Sequence, residues 1–236
     1  MRPKIDTLSL LANLPLFREV ARAELAPLAA ATTVRHVPRG EIVFQRGDAC
    51  DGFHIVVYGQ IKLSFLADDG CEKVVEIVSA GTSFGESPMF LGSPYLMMAQ
   101  GLVDSLLLFV HRNAVMAAIE HDPKFTLKLL AGMSNRMHRL INDVEAYSMH
   151  TGTERLVAYL LQQPVEAQGE PPVRVVTLPT SKAVIASRLN VTPEHLSRIL
   201  HELAGSGLIE VAGRRVTIVD QARLHAYRDA KRQAAA

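Results

Sequence analysis

The stretch TPEHLSRILHEL, residues 192–203, separates its apolar and polar side chains by helical phase. Four large aliphatic residues recur at the spacing of one helix face: Leu196, Ile199, Leu200 and Leu203. The first turn groups an acid, a hydroxyl and a guanidinium, which belong to Glu194, Ser197 and Arg198. Thr192 is a favourable N-cap, and Pro193 suits the first helical position because an N–H would have no partner there. The pattern predicts a helix that packs by one face and presents three different polar groups near its start.

The residues on either side of this helix predict a winged helix-turn-helix. Ser181 is a suitable N-cap for a first helix through Leu189, and Ala186 is small where a second helix must approach closely. Asn190 tolerates the left-handed backbone of a tight turn better than bulkier residues do. After the second helix, the segments AGSGLIEV and RRVTIVD flank a bend at Ala212-Gly213. These segments predict a β-hairpin, the wing.

The polar groups at the start of the second helix match base edges in the major groove of DNA. An arginine can donate to guanine O6 and N7, a carboxylate can accept from cytosine N4, and a serine can bond either kind of edge. Glu194, Ser197 and Arg198 are therefore the predicted base-reading residues. Alternatively, Glu194 only complements the helix dipole and pairs with Arg198, but the caps, the first helix and the wing favour DNA reading. Five further residues are predicted to contact the DNA backbone: Ser181, Thr192, His201, Arg214 and Arg215.

Charge is distributed unevenly along the 236 residues, although the formal net charge is only +1. Residues 151–236 contain 11 Lys and Arg against 8 Asp and Glu, a net charge of +3. Residues 1–150 contain 14 against 16, a net charge of −2. Bulk electrostatics therefore do not account for nucleic-acid binding, and the asymmetry favours a local DNA surface in the C-terminal part.

The segment between residues 40 and 101 predicts antiparallel β-structure. Nine glycines punctuate it and separate short runs rich in β-branched and aromatic residues, including EIVF, FHIVVY, IKLSF and KVVEIV. Turn signals at this spacing are typical of a sandwich or barrel. The run SLLLFV, residues 105–110, completes the set as a buried strand, and residues 7–30 predict short helices before it.

After Pro123 the pattern changes to the period of a helix. Six residues alternate spacings of three and four: Leu130, Met133, Met137, Leu140, Val144 and Tyr147. So narrow a seam favours a coiled coil between two copies, whereas a helix packed on its own domain, the alternative, usually has a broader stripe. The predicted fold class is α+β, in three parts: an N-terminal antiparallel β-roll at residues 1–120, a long dimerisation helix at 121–149 and a C-terminal winged helix-turn-helix at 150–236.

This succession of elements resembles the CRP/FNR superfamily of bacterial transcription regulators over nearly the whole chain. The Glu-x-x-Ser-Arg pattern of residues 194–198 is similar to the recognition helix of the fumarate-nitrate and dissimilatory nitrate respiration regulators. The segments GCEKVVEIV, FGESPMFLGSPY and VTPEHLSRIL carry the likeness to the latter branch. The resemblance implies a cyclic-nucleotide-binding-domain-like roll, a homodimer that activates transcription with RNA polymerase, and a palindromic target close to TTGAT, four variable pairs, ATCAA.

The β-roll is expected to hold an effector. The predicted pocket joins a Phe-Gly-Glu turn to an apolar segment: Phe84, Gly85, Glu86, Tyr95, Leu96, Met97 and Met98. In cyclic-AMP-binding relatives this turn is followed by an arginine that holds the cyclic phosphate, but here no Lys or Arg occurs between Lys73 and Arg112. Because a buried phosphate without a cation is costly, cyclic AMP is not expected as the ligand.

Residues 1–49 contain no cysteine, so the iron–sulfur cluster of the oxygen-sensing relatives is not expected either. The nitrate respiration branch implies haem b that detects nitric oxide in an apolar pocket, with a neutral imidazole on the iron. The candidate ligands are His54, in a predicted strand, and His138, beside the predicted dimer seam. The alternative is a regulator that responds to a cyclic nucleotide or another small-molecule effector.

Enzyme and membrane classes have no support in the sequence. The chain has no nucleophile-elbow, P-loop or HExxH motif, and its two cysteines, Cys50 and Cys71, form neither a disulfide framework nor a zinc-site pattern. No apolar run approaches the roughly 20 residues of a membrane span, and the first residues lack the continuous apolar core of a signal peptide. We therefore expect a cytoplasmic DNA-binding regulator that is not an enzyme.

Overall fold

The chain divides into two structural units, Met1–His138 and Arg139–Ala236. The computed structural model describes residues 6–14, 17, 21–68, 70–121, 123–163, 166–168, 173–178 and 180–235. The boundary between the units falls inside one long helix. It lies within the segment 121–149 that the sequence predicts as a dimerisation helix.

The first unit consists mainly of β-strands. Two helices precede them, as predicted: α1 (Thr7–Asn13) and α2 (Arg22–Ala30). The described strands are β1 (Thr32–Val37), β2 (Ile42–Phe44), β3 (Gly52–Tyr58), β4 (Gln60–Leu66), β5 (Glu72–Ser79), β6 (Ser83–Phe84), β7 (Met98–Gly101) and β8 (Ser105–His111). Two further helices belong to this unit: α3 (Glu86–Leu91), between β6 and β7, and α4 (Arg112–His121), after β8.

These strands form two antiparallel four-stranded sheets, with strand orders β1-β8-β3-β6 and β2-β7-β4-β5. Large apolar side chains from both sheets enter one core, in which Phe53, Ile61, Phe84 and Leu107 are fully buried. Removing this apolar surface from water is the main force that brings the two sheets together. The predicted antiparallel β-roll is confirmed.

The turn between β3 and β4 requires glycine. Gly59 has a φ of +91°, and a Cβ at this position would lie 2.2 Å from Ser105 Oγ. The Ser105 hydroxyl accepts a hydrogen bond from the Gln60 N–H at 3.0 Å, which ties the turn to the start of β8. A larger residue would fit neither the backbone angle nor the space.

The helix α5 (Pro123–Met149) crosses from the first unit into the second. Phe125 and Leu129, near its start, are buried in the first core. Further large apolar side chains of α5 remain exposed: Leu127, Leu130, Met137, Leu140, Ile141, Val144 and Met149. Four of the six predicted seam residues belong to this exposed stripe; of the other two, Met133 is half-buried and Tyr147 packs within the second unit. No described helix, α5 included, combines the length and the apolarity needed to cross a membrane.

The second unit is a mixed α and β domain that follows the end of α5. Its described elements are α6 (Gly152–Gln162), β9 (Glu166–Gln168), β10 (Val173–Thr177), α7 (Lys182–Arg188), α8 (Pro193–Gly205), β11 (Ile209–Ala212), β12 (Arg215–Ile218) and α9 (Gln221–Ala235). The strands form one antiparallel sheet of order β11-β12-β10-β9. The β11–β12 hairpin, in which Ala212 pairs with Arg215, is the predicted wing, and α7 with α8 forms the predicted helix-turn-helix.

Candidate nucleic-acid interface

Both helices of the helix-turn-helix begin with a side-chain cap. Ser181 Oγ accepts a hydrogen bond from the Val184 N–H at 3.4 Å, and Thr192 Oγ1 accepts one from the His195 N–H at 3.1 Å. Each cap satisfies a backbone donor that the first turn of a helix leaves without an intrahelical partner. Both residues are exposed, and each hydroxyl still has a proton that it can donate to a phosphate oxygen.

The turn between α7 and α8 depends on one left-handed residue. Asn190 has a φ of +56° and is, in the part of the chain that the structure describes, the one non-glycine residue with a positive φ. The Val191 N–H donates to the Ala186 carbonyl at 3.0 Å and closes the turn. Ala186 is completely buried, which agrees with the close helix approach predicted at this small residue.

The helix α8 packs by the apolar face that the sequence predicts. All four aliphatic residues are buried in the core of the second unit: Leu196, Ile199, Leu200 and Leu203. Burial of one such side chain contributes about 1.5–3 kcal/mol relative to leaving it in water. This packing fixes the rotation of α8 about its axis, so the opposite face is directed to solvent.

The predicted base-reading residues share that solvent-facing surface. Glu194, Ser197 and Arg198 are all exposed. They line one shallow depression together with Pro193, His201 and Glu202. Among the described residues, neither an ion pair nor a hydrogen bond joins Glu194 to Arg198. The alternative in which these two residues pair with each other is therefore not what the structure shows. The acid, the hydroxyl and the guanidinium are therefore all available to one ligand.

The wing carries the remaining predicted cations. Arg214 lies in the bend and Arg215 at the start of β12, and both side chains are exposed. The Leu178 N–H donates to the Arg214 carbonyl at 2.7 Å, which ties the bend to the residue after β10. Arginine presents five N–H donors in a planar fork that suits phosphate oxygens. The wing therefore carries two such forks on exposed side chains.

In the first unit, the residues predicted to form the effector pocket divide into a buried and an exposed group. Phe84, Glu86 and Tyr95 are buried, whereas Leu96 is 57% exposed. The other three are partly buried: Gly85, Met97 and Met98. The Tyr95 ring stacks on Phe44 with ring centroids 3.5 Å apart. Aromatic side chains of the chain itself thus occupy the space beside the Phe-Gly-Glu turn.

A cation reaches this turn from a distant part of the sequence. Arg136 of α5 pairs with Glu76 Oε2 at 2.6 Å and with Glu86 Oε2 at 3.4 Å, and it donates to the Ser83 carbonyl at 3.1 Å. Sequence reasoning missed this contact because 50 residues separate Arg136 from Glu86 and no local pattern links them. Two carboxylates already match the single guanidinium, so an incoming phosphate would have to compete with them.

The two predicted iron ligands have opposite surroundings. His54 is 5% exposed, and its ring lies beside four others: Phe44, Phe84, Tyr95 and Phe109. Burial, with a smaller effect of the Arg35 charge, lowers the pKa of His54 from 6.5 to about 3, and His54 Nδ1 has no hydrogen-bond partner. His138 is exposed on α5. Within the described ranges, no group of three or more His, Cys, Asp or Glu side chains could hold a metal ion.

An apolar cavity of about 550 Å³ lies between α2, α4 and the start of α5. Four small residues leave this space: Ala31, Ala114, Ala117 and Ala118. His121 lies at its edge, where the Nδ1–H donates to the Ala117 carbonyl at 2.7 Å. In a neutral imidazole with this hydrogen bond, the lone pair is on Nε2. The sequence did not single out His121, because its environment exists only once α2 packs against α4.

The chain combines a β-roll, a long helix and a winged helix-turn-helix. The recognition helix exposes an acid, a hydroxyl and a guanidinium. Together these features define a DNA-binding regulator. The cyclic nucleotide-binding domain family matches residues 34–122, and the Crp-like helix-turn-helix domain family matches residues 154–227. The chain belongs to the CRP/FNR family of transcription regulators.

Three relatives show the extent of the similarity. The CRP-like cAMP-activated global transcriptional regulator of Mycobacterium tuberculosis is 27% identical over 217 residues, which are 91% of this chain and 96% of the relative. The crystal structure of DNR from Pseudomonas aeruginosa is 31% identical, with a TM-score of 0.50 and coverage of 96% of this chain and 99% of that one. The structure of FixK2 from Bradyrhizobium japonicum has a TM-score of 0.73 and 23% sequence identity, with coverage of 83% of this chain and 96% of the FixK2 chain. At this identity, the similarity supports the fold and nothing further. The Mycobacterium tuberculosis relative is a transcriptional regulator and this chain has the Crp-like helix-turn-helix domain, so the prediction that the chain is not an enzyme is confirmed.

Proposed function

We propose that this chain is a homodimeric activator that reads a palindrome close to TTGAT, four variable base pairs, ATCAA, in the cytoplasm with RNA polymerase as its partner. Glu194, Ser197 and Arg198 read base edges in the major groove. Five residues contact the DNA backbone: Ser181, Thr192, His201, Arg214 and Arg215. The observation that carries the proposal is the exposure of an acid, a hydroxyl and a guanidinium on one face of a helix whose other face is buried.

Two-fold pairing through α5 supports the palindromic target. The exposed stripe of large aliphatic and methionine side chains on α5 is unfavourable in water, and pairing with a second copy would bury it in a coiled-coil seam. Leu127 and Ile141 extend this stripe beyond the seam residues predicted from the sequence. Half-sites one helical turn apart, roughly 34 Å, call for two equivalent recognition helices, which a two-fold dimer supplies.

The base-reading role is tested by Arg198→Ala. Loss of a bidentate arginine–guanine contact is expected to weaken binding to the palindrome by about 1–3 kcal/mol and to relax the preference at one base pair. Fluorescence anisotropy at fixed salt, on the palindrome, on single-base variants and on a scrambled duplex, measures both effects. Arg223→Ala, an exposed arginine of α9, is the control for lost charge. An equal loss on the scrambled duplex would contradict base reading.

The effector of this regulator is nitric oxide, detected through haem b in the first unit. The segments shared with the nitrate respiration branch and the 31% identity to DNR support this choice. The surroundings of His54 are filled by aromatic rings, which leave no room for a haem, and His138 does not line the apolar cavity of the first unit. The apolar cavity beside His121 fits better, because about 550 Å³ lies within the roughly 300–1,000 Å³ of small-molecule sites and His121 Nε2 carries a lone pair. Haem held there would supply the iron that binds nitric oxide.

Haem titration of the purified protein tests this sensor. An intense Soret band that shifts when nitric oxide is added is the expected result, and His121→Ala should weaken haem binding and change the spectrum. His138→Ala, on the exposed face of α5, should leave both unchanged. A spectrum identical to that of free haem would rule out haem sensing. An unaltered spectrum for His121→Ala alone would place the iron elsewhere.

A cyclic nucleotide remains the alternative effector, and one observation favours it: Arg136 brings a guanidinium to the Phe-Gly-Glu turn. Glu76 and Glu86 already neutralise that guanidinium, which argues against a phosphate ligand. Isothermal titration with cyclic AMP separates the two cases. Saturable binding at micromolar concentration would favour the cyclic nucleotide over nitric oxide.

A further inference from the structure

Within the second unit, polar side chains connect the end of α5 to the helix-turn-helix. The Tyr147 hydroxyl donates to the Arg188 carbonyl at 2.6 Å. Arg188 carries one of the carbonyls at the C-terminal end of α7 that have no intrahelical partner. The Arg188 guanidinium in turn donates to the Tyr147 hydroxyl and, at 2.7 Å, to Asp143 Oδ2. Arg188 of α7 thus contacts both Tyr147 and Asp143 of α5.

A second arginine extends this connection to the turn before α8. The Arg155 side chain of α6 donates to the Tyr147 carbonyl at 3.4 Å and to the Asn190 carbonyl at 3.3 Å. Its guanidinium also lies over the Tyr147 ring, 5.8 Å from the centroid. Asn190 is the left-handed residue of the turn, and the N-cap of α8, Thr192, follows two residues later. The position of α8 relative to the end of α5 therefore depends on this cluster.

The cluster does not serve as a phosphate contact. The Arg188 side chain is 20% exposed, and its charge is matched by Asp143. Burial raises the pKa of Tyr147, so its hydroxyl keeps the proton that it donates to the Arg188 carbonyl. The exposed cations of the second unit that suit DNA, Arg198, Arg214 and Arg215, lie on other elements.

We propose that Tyr147, Asp143 and Arg188 are positioning residues for DNA reading, which set the placement of α8 on the end of α5 and thereby the spacing of the two recognition helices in the dimer. The inference rests on the proposed homodimer, because α5 is the helix through which two copies would pair. A single α8 would bind a half-site equally well with or without the cluster. Two helices on one duplex must match the half-site spacing, and this match requires a fixed placement.

Tyr147→Phe is the sharpest test, because it removes only the hydroxyl. Tyr227→Phe is the matched control, because it removes a tyrosine hydroxyl of α9 that donates to α8, at Glu202 Oε1, at 2.7 Å. Full-length wild type and variants are compared by fluorescence anisotropy on palindromes with three, four or five central base pairs and on a single half-site. Thermal melting of each variant is measured in parallel.

Tyr147→Phe is expected to bind the four-pair palindrome about tenfold more weakly, because it loses both contacts of the hydroxyl with Arg188, while half-site affinity stays within about twofold. Its preference for four central pairs over three or five should fall accordingly, and Tyr227→Phe should keep the wild-type preference. If Tyr147→Phe does not fold, Arg188→Lys replaces it in the same binding measurements. This variant keeps the positive charge but loses the planar guanidinium.

An unchanged spacing preference in Tyr147→Phe, or in Arg188→Lys where that variant replaces it, overturns this inference. Equal losses on the half-site and on every palindrome also overturn it, because they would mean that the cluster only stabilises the domain. A wild type that shows no preference for the four-pair palindrome would instead refute the proposed function, so the two failures are distinguishable.

Discussion

The start of α8 and the interior of the β-roll present their polar groups in opposite ways. At α8, Glu194, Ser197 and Arg198 are exposed on a helix whose caps and apolar spacing are encoded within twelve residues. In the roll, His54 and Glu86 are buried, and their neighbours come from elements far apart in the chain. A site carried by one helix can be predicted from its own stretch of sequence, whereas a site assembled from several elements requires the fold.

Because the polar groups are exposed in one region and buried in the other, substitutions in the two regions should affect different properties. An exposed side chain at the start of α8 contributes little to folding, so in the proposed role its substitution would change DNA binding rather than stability. A buried side chain in the roll contributes to the core, whatever else it does. Substitutions in the two regions should therefore have effects of different size.

Phe84→Ala should have the largest effect. Phe84 is completely buried, with its ring stacked on His54 at a centroid distance of 5.0 Å, so the substitution should lower the free energy of unfolding of the first unit by about 3–5 kcal/mol. Leu96→Ala, at an exposed position of the same predicted pocket, should change it by no more than about 0.5 kcal/mol. Urea denaturation measures both values. Equal values for the two variants would mean that the space around Phe84 is open.

His54→Phe should have a smaller effect that depends on pH. Burial keeps His54 neutral, with a pKa lowered from 6.5 to about 3, so protonation of the unfolded chain favours unfolding below pH 6.5. The free energy of unfolding is therefore unaffected by His54 well above pH 6.5. It decreases as the pH falls through this value, by about 2 kcal/mol at pH 5. A phenyl ring cannot titrate, so the variant should lack this component of the pH dependence between about pH 7.5 and pH 5. His138→Gln, exposed on α5, should retain it. Parallel stability curves for His54→Phe and wild type would contradict the neutral, buried state.

Thr192→Ala should have the smallest effect. It removes the acceptor of the His195 N–H, so the free energy of unfolding of the second unit should fall by about 1 kcal/mol. Thr192→Ser keeps a capping hydroxyl and should be close to wild type. Denaturant titration monitored on the second unit measures the difference. A loss as large as that for Phe84→Ala would contradict the view that α8 is positioned mainly by its buried face.

Local signals were sufficient to predict the fold class and the recognition helix. The caps at Ser181 and Thr192, the left-handed Asn190 and the β11–β12 wing all lie where the sequence predicts them. The roles of the exposed residues on DNA remain predictions, because side-chain exposure does not identify the ligand. The wing is local too, since its two strands are joined by one bend.

Contacts over long sequence distances could not be predicted in this way. Heptad spacing placed Tyr147 on the same face as Leu130, but spacing does not specify which neighbour covers that face. Near the end of α5 the neighbour is α7 of the same chain, so Tyr147 bonds to Arg188. The pairing of Arg136 with Glu76 and Glu86 likewise depends on the fold of the roll.

In the proposed homodimer, the exposed stripe of α5 would link gene control to the abundance of the protein. If two copies must meet to cover these side chains, mass action links the working state to the number of molecules, and each tenfold rise in concentration favours the pair by about 1.4 kcal/mol. At low protein concentration, most chains would then be monomeric and unable to bind both half-sites of a palindromic operator. Expression level would thus set a threshold for regulation, independently of any effector.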